Sequence, residues 1–114
     1  MATRVFFLAP IARFDTRSAE SFGTVTFLFP DQKDVNPFGG GETLRRISAR
    51  LHDVGFDASK DMIALTGSVA SMAYFMLVLS GLVESTLRVL IFDAREGGCY
   101  RQRVLDLNAM ETEA

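Results

Sequence analysis

The sequence predicts a single compact α/β domain with the element order ββαβαββ and a mixed, mostly parallel five-stranded sheet carrying two helices. Three observations carry this. Val5 to Ala9 and Leu87 to Asp93 are short, largely apolar runs, the mark of strands buried on both faces of a parallel sheet. Two helical segments, Glu42 to Val54 and Val69 to Val83, alternate with strands, and each strand–helix–strand unit calls for parallel strands and a right-handed crossover. The chain of 114 residues is 48% apolar, enough for one core without disulfide staples.

The elements follow in order. Val5 to Ala9 is the first strand, ended by Pro10. Ile11 to Phe22 reads as a loop carrying Arg13, Asp15, Arg17 and Glu20. Gly23 to Phe29 is the second strand, with Val25, Phe27 and Phe29 on one side and Thr24, Thr26 and Leu28 on the other. Asp31 to Gly41, with Asn36-Pro37 and three consecutive glycines, is the loop that composition marks as most flexible, a lid hinge or a linker. In the helix from Glu42 to Val54, Leu44, Ile47, Leu51 and Val54 form the apolar stripe. Arg45, Arg46 and Arg50 read as a solvated face, with His52 a surface residue. Glu42 suits the helix dipole and Gly55 the stop.

Asp61 or Met62 to Thr66 is a third strand, short and apolar. The helix Val69 to Val83 is apolar all round, which calls for cover on more than one side, one of them a subunit interface. It is shorter than the roughly 20 residues a membrane span needs. Leu87 to Asp93 and Cys99 to Leu105 then pair through the turn at Glu96-Gly97-Gly98, the last strand being a half-exposed edge with Arg101 and Arg103 on one face. The domain runs over residues 1–107 and a polar tail over 108–114. The first two strands are expected to form a hairpin, like the last two.

Composition narrows the functional classes. A net charge of -2 gives no electrostatic footprint for duplex DNA, and no polybasic stretch addresses an anionic membrane. One cysteine, Cys99, and one histidine, His52, leave no structural zinc set and no internal disulfide, a pattern that suits the cytoplasm. Cys99 reads as packing rather than as a nucleophile.

Ligands of open α/β sheets bind beyond the carboxyl ends of parallel strands. Three such ends can be named: Phe29-Pro30-Asp31, Thr66-Gly67-Ser68 and Phe92-Asp93-Ala94-Arg95. At the second, a glycine opens a helix whose free N–H groups attract anions, with Ser68 or Ser71 as added donors and Tyr74 two turns on; a plain N-cap is the competing reading. Asp93 and Arg95 lie two apart on an extended backbone, so they share a face. An acid and a base there suit a hydroxyl and a phosphate, or an ion pair framing the hairpin.

Ile63-Ala64-Leu65-Thr66-Gly67 followed by Phe92-Asp93-Ala94-Arg95-Glu96-Gly97 resembles the small CRISPR-associated ring nucleases of cyclic oligoadenylate, which share the element order. The resemblance covers the second half of the chain. It implies a cytoplasmic homodimer that binds a cyclic nucleotide second messenger in antiviral defence. Asp93 and Arg95 would be catalytic, manganese would assist phosphodiester cleavage, and Thr66, Gly67, Ser68, Ser71 and Tyr74 would bind the ligand. The family's histidine position falls near Tyr74, which implies binding or sequestration more than cleavage. The contrasting expectation is a small phage- or plasmid-type accessory or inhibitor protein, which acts through a protein surface and presents an exposed apolar patch.

Overall fold

The computed structural model describes residues 3–10 and 16–106. Along the chain it contains β1 (Arg4–Phe7), α1 (Arg17–Glu20), β2 (Thr24–Phe27), α2 (Gly41–Asp53), β3 (Met62–Ala64), α3 (Val69–Ser80), β4 (Thr86–Asp93) and β5 (Cys99–Asp106), with 3-10 turns at Gln32–Asp34 and Arg95–Gly97. The five strands form one sheet in the order β2-β1-β3-β4-β5. The α/β class, the mostly parallel sheet and the two long helices are as expected. The short α1 is an addition within the segment expected to be a loop, and residues 11–15 and the tail 108–114 lie outside the described residues.

One pairing differs from expectation. β1 and β2 are not a hairpin: they run parallel, from Arg4 opposite Thr24 to Phe7 opposite Phe27. The connection exceeds the dozen or so residues a parallel crossover requires. It also buries Ala19 of α1 against the sheet face that holds Val5 and Phe7. β1 pairs parallel with β3, and β3 with β4, while β4 and β5 form the expected antiparallel hairpin.

Because β1 lies between two strands, both of its faces are covered. Alternation sends Phe6 and Leu8 to one side, where Ile63 and Val89 meet Ile47 and Leu51 of α2 and Phe75 and Leu79 of α3. Val5 and Phe7 go to the other side, with Met62, Ala64, Leu90 and Tyr100. There Tyr100 stands edge-on to Phe7 and Phe92, at ring separations of 5.6 and 5.2 Å.

The start of the sheet is clamped by Arg4. Its guanidinium forks onto Asp61, Nε to Oδ1 at 3.0 Å and Nη2 to Oδ2 at 2.8 Å. It also donates to the carbonyls of Val54 and Gly55, at 2.7 and 2.9 Å, where α2 ends. Asp61 is 2% exposed and accepts a further bond from the Asp57 N–H at 2.8 Å. The hydrogen bond to Asp61 holds the Arg4 guanidinium even more firmly protonated than usual. One side chain thus joins β1, the end of α2 and the entry to β3, while satisfying carbonyls that a helix end leaves open.

Replacing Arg4 by Met strands the Asp61 carboxylate. Urea unfolding of Arg4→Met should therefore show a loss of roughly 3 kcal/mol, the low end for breaking a buried pair because the Arg4 side chain is itself 37% exposed. Arg4→Lys should recover only part of this, since an ammonium cannot fork to the carboxylate and reach both carbonyls.

Candidate functional site

At the end of β3 the chain turns through Thr66 and Gly67 into α3. Thr66 is buried, and its hydroxyl shares a 2.9 Å hydrogen bond with that of Tyr100. Ser68 caps α3: its Oγ accepts from the Ser71 N–H at 3.1 Å and donates to Ser71 Oγ at 2.9 Å. The two hydroxyls expected to face a ligand are bonded to each other.

Tyr74 is engaged by the loop before α2, whose Pro37 borders the same concavity as Ser68 and Ser71. Its hydroxyl donates to the Pro37 carbonyl at 2.8 Å and accepts from the Gly40 N–H at 3.2 Å. Two further bonds hold the same loop. Asn36 Oδ1 accepts from the Phe38 N–H at 2.9 Å, and Thr43 Oγ1 donates to the Asn36 carbonyl at 2.6 Å. Gly39 lies so close to Thr43 that a Cβ there would collide with its hydroxyl. The segment that composition marked as a hinge is therefore a bonded turn. At its tip it holds Phe38 with 93% of its surface exposed.

Asp93 and Arg95 grip each other, but not as alternate residues of one extended strand: β4 ends at Asp93, Ala94 leaves the extended conformation and Arg95 opens a 3-10 turn. Arg95 donates from Nε to Oδ1 and from Nη2 to Oδ2, both at 2.9 Å, and its backbone N–H reaches Oδ1 at 3.0 Å. Arg101, across the hairpin, donates to Oδ2 at 2.7 Å. The Arg95 side chain first, then its N–H, then Arg101 hold the Asp93 carboxyl far below the usual carboxylate range. The pair fastens the turn, where Gly98 at a φ of 80° passes close to the Phe92 ring. Two guanidinium groups on this carboxylate make it a poor seat for a divalent cation. Among the described residues, no three His, Cys, Asp or Glu side chains come together for one.

The residues singled out from the sequence line separate concavities. Ser68 and Ser71 face Gln32, Lys33 and Asn36 across one of about 340 Å³. Asp93 and Arg95 border another of about 280 Å³ with Ile91, Arg101 and Arg103. A third lies between α2 and the end of α3. It is about 510 Å³, with Ala49, Leu51, Phe56 and Leu82 as apolar walls and Arg45 and His52 beside them. Arg46 and Arg50 are not merely solvated. They donate to the carbonyls of Asp34 and Leu28 at 3.0 and 3.1 Å, and both stack over Phe29.

α3 is covered on one side only. Phe75 and Leu79 are buried, whereas Val69 is 89% and Leu77 62% exposed, with Ala70 and Ala73 beside them. No charged residue occurs between Val69 and Ser80. This uncharged outer face and Phe38 are the surface features that the strand-end rule passed over.

Two measurements test these bonds. Tyr74→Phe removes both loop bonds and should cost about 1 kcal/mol, with faster amide exchange at Gly40. Asp93, with its pKa depressed on folding, contributes stability in full above the usual aspartate value of about 4 and loses it as the pH falls below that. Between pH 5 and about 2, urea midpoints should accordingly fall more steeply for the parent chain than for Asp93→Asn.

Comparison with known proteins bears on the ring-nuclease resemblance. A family model described as Phage Pam3 gp32-like protein matches residues 8–107. No curated protein and no solved structure matches the chain. A ring-nuclease family is not found, and the expectations of cyclic-nucleotide binding and CRISPR-associated antiviral defence fall with that resemblance. The stretches that suggested it have local structural work here: Thr66 to Ser68 lead into a helix cap, and Asp93 to Gly98 turn a hairpin. Covering nearly the whole chain, the match makes this protein a member of the phage Pam3 gp32-like family.

Proposed function

We propose that the protein is a small phage accessory protein that acts by docking onto another protein surface. The observation that carries this is Phe38, an almost fully exposed aromatic side chain on a turn held by hydrogen bonds to Tyr74, Asn36 and Thr43. An aromatic group placed in water is costly to leave there and contributes most when a partner covers it, and a turn already ordered loses little entropy on binding. The uncharged outer face of α3, with Val69 and Leu77 exposed, adds apolar surface on the element that Tyr74 ties to this turn.

Membership of a phage protein family supports the accessory reading. So does the chemistry at the strand ends. The hydroxyls of Thr66, Ser68 and Ser71, the Tyr74 hydroxyl and the Asp93 carboxylate all have partners within the chain. No described helix is long and apolar enough to cross a membrane. With the lone thiol of Cys99, we place the protein in the cytoplasm.

The test is retention of partner protein by the tagged chain, in cells that also express the phage genes, compared with its Phe38→Ala variant. A protein held in stoichiometric amount by the parent and at least tenfold less by the variant is the expected outcome. Equal retention by both, with unchanged thermal midpoints, would sink the proposal.

A further inference from the structure

The apolar surface holds both a projection and a recess, and they lie along one seam. α2 and α3 pack side by side on the sheet. Phe38 projects where α2 begins, tied to α3 through Tyr74. The groove of about 510 Å³ runs from Arg45 along α2 to His52 and Phe56, with Leu82 after α3 on its other side. At 1.5 Å per residue, the start of α2 and His52 are roughly 16 Å apart along the helix.

Resting on the reading that the protein works through a docking surface, we propose that the occupant of this surface is a second copy of the chain. The two copies are related by a two-fold axis across the seam, and Phe38 of each protomer seats in the groove of the other. A two-fold contact must be self-complementary, so that whatever projects at one end fits what recedes at the other. A projection and a recess on one face satisfy that condition twice, and the contact closes without propagating into a fibre.

Charge does not oppose this shape. Glu42 is exposed in the first turn of α2, and Arg45, one turn on, holds its guanidinium close to Gly41, so this end of the seam carries both an acid and a base rather than a single sign. The middle of the seam is the outer face of α3, with Ala73 and Leu77, which carries no charge and so sets no like-charge repulsion against its own copy. Area agrees as well. Phe38, Leu77 and Leu82 together expose on the order of 400 Å², about half of what each partner buries in a standard interface, before Ala49, Phe56 and Ala73 are added. The hairpin end, with Arg95, Arg101 and Arg103 exposed together, would repel its own copy and is a poorer candidate.

The experiment is photo-crosslinking of the full chain with Phe38 replaced by p-benzoylphenylalanine, both purified and in cells expressing the phage genes, with sedimentation of the parent and variants alongside. The expected results are a covalent dimer whose adducts map to the α2–α3 groove, and a dissociation constant raised at least tenfold by Phe38→Ala. Leu82→Arg, in the groove, should weaken the dimer similarly. Phe38 is too exposed for its loss to unfold the domain, and an unchanged thermal midpoint checks this. Adducts to a different protein, with no self-adduct, would overturn self-association and leave the docking reading standing. A parent chain monomeric at about 100 μM, with no adduct to any protein, would overturn both. A dimer indifferent to Phe38→Ala would overturn the seating of that ring.

Discussion

The join between Arg4 and Asp61 is the constraint on which the rest of the sheet depends. β1 is central to the first half of the sheet, and both faces of it are buried, so its position decides which residues of β2 and β3 can be apolar. Apolar burial alone does not set register well, because a strand that is greasy on both sides can slip without exposing anything polar. A forked ion pair at the first residue of β1 removes that freedom. Any slip would leave Asp61 without its guanidinium and two carbonyls at the end of α2 without a donor. The clamp also explains why the chain between α2 and β3 can be irregular: the Asp57 N–H donates to the Asp61 carboxylate there, and the Asp57 carbonyl accepts from the Asp61 N–H.

From that end the fold becomes less constrained toward the far edge. β4 and β5 are joined by a hairpin whose turn is fastened by Asp93, Arg95 and Arg101 as well as by the Phe92 ring. β5 is exposed over most of its length, and α3 covers the sheet with one side only. The molecule thus divides into a clamped, two-faced half around β1 and a half whose outer surface is open. The apolar projection at Phe38 sits on the helix side, where α2 and α3 meet.

Much of the fold was legible because burial leaves a periodic trace. The alternation in β2, the stripe at Ile47 and Leu51, and the glycine-rich turn before Cys99 each follow from local rules, and they led to the right elements and the mostly parallel sheet. The pairing of β1 with β2 was not legible. Strand patterns do not say whether the chain returns by a turn or by a crossover, and the connecting segment has weak helical character. Arg4 and Asp61 were passed over because nothing local links residues so far apart. At the strand ends, sequence rules found the helix cap at Ser68 and the ion pair of Asp93 with Arg95, but not that a 3-10 turn brings that pair together, and residue types cannot reveal that the polar atoms bond inward. Phe38 looked like part of a flexible linker. The bonds that order its turn come from Tyr74, in another element altogether.

The position of β1 has a consequence for how the protein is made. β1 leaves the ribosome before its neighbours β2 and β3, and the pairing with β3 closes a long stretch of chain. Until residue 64 has emerged, Val5 to Ala9 form an apolar strand with no sheet to join. Synthesis at about 5–20 residues per second leaves it open for seconds. The hairpin of β4 and β5, by contrast, has its partners adjacent in the chain and can pair as soon as it appears. Folding during translation is therefore gated by the middle of the chain. A fusion or pause that delays β3 would prolong the exposure of β1 to other nascent chains.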